Sequence, residues 1–400
     1  MAETSVSETN APETSAPETP REAPVDGPDE AATPSVIQPL ARPANPFEIL
    51  DQKEVRGPRD VIITAVGDVS QPEKQWRETT EELKTRAFAP TQHLIDSADL
   101  AAMNLENPVS DLPPTAKKEF SFTSPPERLG WYMDVGFNIF SLSNNHIADA
   151  DQIGIDDTLR HLKATSEAKG VEAFWAGASD NYADAEAYTL VTLPDKDVKI
   201  AFFSTGFSRS PNVSKFWSIT LPAKIEAAKA DPNIDLVIVS VHAGKEYRHV
   251  PQAPLVERFR SWVDAGADIV LGHHPHVVRP VEAYKRGLIF YSLGNFVFAS
   301  RTRRHKKSGA RMYGLITRII VYDGAVAGAE VVPLWVNNAH DWVLETGERM
   351  PKSDFTPVPL TGPFVDQFFE DFNRWTDEIG ATRLERKGDV GIIRVAPPTS

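Results

Sequence analysis

Three of the chain's ten histidines fall within four positions, in Gly272-His273-His274-Pro275-His276, directly after the apolar run Ile269-Val270-Leu271. Imidazoles at that density suit coordination or proton transfer, because each offers a neutral nitrogen donor near physiological pH. Side chains of the same chemical kind recur at the ends of other apolar runs. Asp68 closes 60–70, Asn104 and Glu106 close 98–107, and Asn145 with His146 closes 136–146, with Asp149 just beyond. His242 closes 234–244 with Glu246 four residues on, and Asn295 closes 287–296. Nitrogen and carboxylate donors without thiolates suit Zn, Mn, Fe or Co rather than soft-metal chemistry. There is no cysteine, which excludes disulfides, thiolate sites and a cysteine nucleophile.

Taken singly, each residue has a structural reading: Asp68 as a helix N-cap, Asn144-Asn145 as a turn, a lone histidine as a polar loop residue. Six strand ends bearing ligand-type side chains do not arise as independent turns. Crowded imidazoles near a core are also costly unless satisfied. The conjunction predicts a metal or catalytic centre holding a divalent ion.

The elements that must position these residues are short runs of Val, Ile, Leu and Phe bounded by turn residues, as in strands buried on both faces. They are 60–70, 98–107, 136–146, 198–206, 234–244, 267–276 and 287–296. Between them, 154–170 and 254–266 show helical spacing and end in Gly170 and Gly266. Strand–helix alternation predicts an α/β fold with a parallel or mixed sheet, whose ligands bind at the carboxyl ends of the strands. Farther on, 313–324 and 325–336 read as a hairpin closing a second sheet. Residues 363–380 read as an amphipathic helix with Phe364, Phe368, Phe372 and Trp375 near one face.

Residues 1–57 are rich in Pro, Glu, Thr, Ser and Ala and poor in large apolar side chains, which predicts a disordered acidic tail. The expected organisation is that tail, a domain over 58–340 and an extension over 341–400. The formal net charge of −14 argues against a general nucleic-acid binder. No apolar run approaches a membrane span, and no secretory signal is seen, so the expected location is cytoplasmic.

The series Gly67-Asp68, "NLENPVS" (104–110), "SNNHIADA" (143–150), "HAGKEY" (242–247), "GADIVLGHHPHVVRPVE" (266–282) and "YSLGNFVF" (291–298) resembles the CapA capsule-synthesis family. That family is linked to poly-γ-glutamate and is similar to the calcineurin-like metallophosphoesterases. The resemblance implies a four-layer α/β sandwich of metallophosphoesterase type, two mixed β-sheets flanked by helices, with a metal site at the strand C-termini. It implies Asp68, Glu106, Asn145, His242, His274 and His276 as metal positions. His146, Asp149 and Glu246 become catalytic positions, and Asn104, His273 and Asn295 the neighbouring shell. Metallophosphoesterases pair a ligating Asn with an acid His, as in Asn145-His146. Where they begin with Asp-x-His, this chain has Asp68-Val69-Ser70, and their Gly-Asp is replaced by Asn104-Leu105-Glu106, so the number of ions is left open.

The chemistry expected is hydrolysis of an amide, possibly of γ-glutamyl type, or of a phosphoester in a small or oligomeric anionic substrate, since a bound divalent ion acidifies water. The alternative is a non-catalytic component of capsule polymer synthesis using the fold as a scaffold. Arg128, the basic run 301–307, and Arg209, Phe216 and Trp217 are weaker candidates for contact with substrate.

Overall fold

The computed structural model describes residues 45–51, 56–72, 81–299 and 303–396. Among them, strands β1 (Val61–Ser70), β2 (Leu100–Leu105), β3 (Ile139–Ser141) and β4 (Phe174–Ala176) run parallel side by side. They belong to a ten-stranded sheet, as do β11 (Asn295–Phe298), β12 (Tyr313–Tyr322) and β13 (Ala325–Trp335). A six-stranded sheet holds β5 (Thr189–Leu193), β6 (Val198–Gly206), β7 (Leu236–His242), β8 (Ile269–His273), β9 (Val281–Tyr284) and β10 (Gly287–Phe290). Within it β6, β7, β8 and β10 are parallel, and β5 and β9 are antiparallel edges.

Alternation along the strands builds the layers, because successive side chains point to opposite faces. In β1, Val61, Ile63 and Ala65 enter the cluster between the sheets, with Ile200, Ile238 and Ile269 of the other sheet, whereas Val66 and Val69 turn to the opposite face. That face is covered by helices Glu127–Val135 and Asp151–Lys169 through Leu129, Tyr132, Ile155 and Leu162. The outer face of the six-stranded sheet packs on helices Leu221–Ala230 and Ala253–Asp264 through Ile225, Phe259 and Trp262. The order is helix, sheet, sheet, helix, the sandwich expected.

Several expectations are corrected. The run 287–296 is two strands: β10 pairs with β8 in one sheet and β11 with β1 in the other. Gly294, at φ 72°, turns the chain between them. A Cβ on Gly67 would stand 1.9 Å from the Gly294 carbonyl oxygen, so only glycine lets β1 pass this crossing. The β12–β13 hairpin extends the sheet of β1, with Val61 opposite Val321, rather than closing the second one.

Most of the expected tail, residues 1–44 and 52–55, lies outside the described residues. Its stretch Pro46–Leu50 is a 3-10 helix, started by Asn45 accepting from the Phe47 amide, and its Phe47, Ile49 and Leu50 pack on Ile62, Ile320 and Ile392. Three large apolar side chains in five residues give this stretch a face to bury, which offsets its ordering entropy. Residues 341–396 are part of the same compact unit as the sheets. Helix Pro363–Glu378 inserts Phe364, Phe368, Phe372 and Trp375 into the cluster between the sheets, and Val390–Arg394 pairs with β13.

Candidate metal centre

Strand register brings the polar residues together. Asp68 on β1 is opposite Asn104 on β2 and Asn295 on β11, and His242 on β7 is opposite His273 on β8. Glu106 leaves the end of β2 with its amide bonded to the Val69 carbonyl. His274 and His276 follow β8 with φ of 93° and 57°, left-handed conformations that cost energy in non-glycine residues and gather at functional sites. The His274 amide is held by Asp68 Oδ2 at 3.2 Å.

The side chains converge. Donor atoms of Glu106, His242 and His274 lie within 4.8 Å of one another, as do those of Asp68, Glu106 and His276, so Glu106 belongs to both groups. His242 Nε2 lies 2.8 Å from Asn145 Oδ1 and 3.0 Å from His274 Nδ1. The Asn104 amide donates to Asp68 Oδ1 at 2.8 Å and sits 3.1 Å from His242 Nδ1. Asn295 Oδ1 is 3.0 Å from His276 Nδ1. His273 is buried with Nδ1 3.5 Å from Asp68 Oδ1, outside both donor groups.

The electrostatics test whether a cation fits. Among the described residues, both carboxylate oxygens of Glu106 are buried without a hydrogen-bond partner, the nearest imidazole nitrogen being His242 Nε2 at 3.6 Å. A buried carboxylate in that condition is costly unless a positive charge meets it. Burial and the neighbouring Asp68 charge push the Glu106 carboxyl well above its ordinary range. Burial also acts on Asp68, but the nitrogens of His273 and His276 and the charge of His242 hold it well below the ordinary range. Burial and the neighbouring His274 push His242 well down, and burial with the His276 charge takes His274 to about 3. His276 is raised, the carboxylate of Asp68 outweighing burial. Oxygens and neutral imidazoles in this mixture suit a borderline divalent ion.

A second group adjoins the first. His146 Nδ1 is 2.7 Å from Asp149 Oδ2, which also accepts from the Phe122 amide at 2.8 Å. Lys118 Nζ meets Asp149 Oδ1 at 2.5 Å and the Asn145 carbonyl at 2.7 Å. Burial lowers the His146 imidazole despite Asp149. Asn144 shapes this loop: its Oδ1 accepts from the His146 and Ile147 amides, and its Nδ2 donates to the Leu105 carbonyl. Asn145 of the first group and Lys118 and Asp149 of the second line a cavity of about 810 Å³, with Phe207, Arg209 and Trp217 among its other lining residues. Trp217 stands on its wall 63% exposed, with its ring 4.5 Å from that of Phe216.

The remaining residues singled out from sequence lie outside both donor groups. Glu246 has a half-buried side chain at the rim, 3.8 Å from Arg304, from where its charge still acts on Glu106 and His276. Arg128 is buried with its guanidinium 3.9 Å over the Trp131 ring, not at the cavity. Residues 300–302 lie outside the described set, and 303–308 form a short helix. Sequence reasoning missed Lys118, whose setting reads as a polar loop. It also missed Phe207 and Phe298, whose rings pack 5.7 Å from His274 and 4.9 Å from His276.

A model of the bacterial capsule synthesis protein family PGA_cap matches residues 62–300. The chain belongs to this family. It is 31% identical over 289 residues to the capsule biosynthesis protein CapA of Bacillus anthracis, covering 68% of this chain and 67% of that protein. Against the PGA biosynthesis protein CapA of Bacillus subtilis it is 31% identical over 268 residues, 64% of this chain and 68% of the relative. A probable polyglutamine synthesis accessory protein of Mycobacterium tuberculosis is 28% identical over 224 residues, 50% of this chain and 56% of its own. The PGA_cap segment runs from β1 through β11 and contains every donor residue named above; the β12–β13 hairpin and helix Pro363–Glu378 lie beyond it. Among the described residues no helix is long and apolar enough to cross a membrane.

Proposed function

We propose that this PGA_cap chain is a metal-dependent hydrolase that cleaves an amide, of γ-glutamyl type, or a phosphoester bond in an anionic substrate. The observation that carries this reading is Glu106, a buried carboxylate without a hydrogen-bond partner among the described residues, set among His242, His274 and His276. Asp68, Glu106, Asn145, His242, His274 and His276 are the residues to hold the ion. When bound, a divalent cation supplies Lewis acidity and lowers the pKa of water to about 7. Asn104 and Asn295 orient Asp68, His242 and His276 by hydrogen bonds, as outer partners do at metal sites. His146, held by Asp149, is the group to protonate the leaving atom, and the adjoining cavity with Lys117, Lys118 and Arg209 receives the anionic portion that departs. The relatives' names point to capsule polyglutamate as the setting of this chemistry.

Those names also support a second reading, since two describe biosynthesis and one an accessory protein. In it the same fold serves a polymer-synthesis assembly without turnover. Elemental analysis of the purified protein, with a screen of phosphoesters, γ-glutamyl amides and small amides, decides between them. Bound metal with turnover supports the hydrolase. Metal-free protein without turnover, recovered in a tight complex with a synthase, supports the scaffold.

A further inference from the structure

Lys118 reaches the site from the segment between β2 and helix Glu127–Val135. An ammonium has three N–H donors. Two of them go to Asp149 Oδ1 and to the Asn145 carbonyl, at 2.5 and 2.7 Å. The third contact, to His146 Nδ1 at 3.1 Å, competes with Asp149 Oδ2 at 2.7 Å for the same ring nitrogen. Lys118 requires a lone pair there, whereas Asp149 requires a hydrogen. The ionised acceptor at the shorter distance prevails, so Nδ1 carries the hydrogen and Nε2 is left to exchange a proton. Asp149 is thereby gripped at both oxygens, by Lys118 on one and by the Phe122 amide with His146 on the other. The same ammonium ties down the backbone of Asn145, whose side chain lies 2.8 Å from His242.

We propose that Lys118 is a positioning residue, which locks the Asp149–His146 pair and the Asn145 turn in one geometry. This rests on the hydrolase reading above. The role is not substrate binding alone, because two of the three donors are occupied within the protein.

The test uses the full chain loaded with manganese, assayed on bis(4-nitrophenyl) phosphate, together with a crystal structure of Lys118→Met. Lys118→Met is expected to lower kcat about 10- to 100-fold while KM stays within about threefold, as for a misplaced catalytic group. Lys118→Arg, which keeps charge and donors, is expected to recover part of the loss. The crystal structure is expected to show Asp149 turned away from His146. The proposal is overturned if kcat stays within about twofold, if only KM moves, or if the Asp149–His146 pair is unmoved in the variant. Should wild type show no turnover of this diester, the phosphoester arm of the hydrolase reading fails, and the crystal structure alone decides the role of Lys118. Lys118→Gln replaces Lys118→Met if the latter does not fold.

Discussion

His242 Nε2 and His274 Nδ1 lie 3.0 Å apart in the interior, each ring depressed in basicity by burial and by the other imidazoles. Two imidazoles this close share a hydrogen between their ring nitrogens, and with Glu106 beside them they make a compact set that could hold a cation. Glu106→Gln or His274→Ala is therefore expected to weaken manganese or zinc binding by about 100-fold or more, and Asn104→Ala by about 10- to 100-fold, because it removes an orienting contact rather than a donor. Isothermal titration of the metal-stripped protein reads these losses. Unchanged affinity in Glu106→Gln counts against the site.

Metal uptake is expected to release protons. Without a cation, burial and the Asp68 charge raise the Glu106 carboxyl, and Asp68 raises the His276 imidazole against burial, so proton and cation compete for both groups. Binding is expected to expel protons, and affinity to rise as pH rises. Calorimetry in buffers of different ionisation enthalpy counts them. A heat independent of buffer overturns the expectation.

Away from the site, Glu186 sets an acid limit on stability. Burial alone would raise its carboxyl, but hydrogen bonds from Ser218, Thr220, Lys224 and Tyr182 hold it at about 2. A depressed carboxyl stabilises the fold above the unfolded value of about 4.3, and this support drains away as pH falls toward the folded value. Thermal melts of wild type are expected to fall steeply between about pH 4.3 and 2, and Glu186→Gln to be less stable at neutral pH with a shallower acid slope.

Phe368 sits in the cluster between the sheets although it belongs to the C-terminal helix. Phe368→Ala is expected to destabilise the whole protein by about 3 to 5 kcal/mol, as for other buried phenylalanines. A chain ending at residue 340 is expected to fail to fold. Chemical denaturation with metal binding as a second probe tests this, because loss of a mere appendage would leave the ion affinity intact.

The candidate ligands were legible in the sequence because each lies near or just past the end of a strand, and strand ends in such sheets share one rim. Asp68, Glu106, His242, His274 and His276 meet as that rule requires. Lys118 was not legible: its value depends on a loop reaching Asn145, 27 residues away, and no periodicity encodes that approach. Glu246 shows the converse. It follows a strand end within four residues, yet the chain turns at Gly244 (φ 121°) and Tyr247 (φ 57°), and its side chain ends at the rim beside Arg304. The split of 287–296 was hidden because an apolar run bears no mark of which sheet accepts each half. The glycine that permits the switch reads from sequence only as a bend.

That switch has a mechanical consequence. Four residues, Tyr291 to Gly294, bridge the two sheets, and Gly294 accepts from the Asp68 amide at 2.9 Å while Leu293 donates to Gly272. The layers are thus riveted at the depth of the residues proposed to hold the ion. Spreading them like the halves of a book would tear the rim apart, so whatever molecule enters must be admitted by the surface loops, with the framework beneath remaining still.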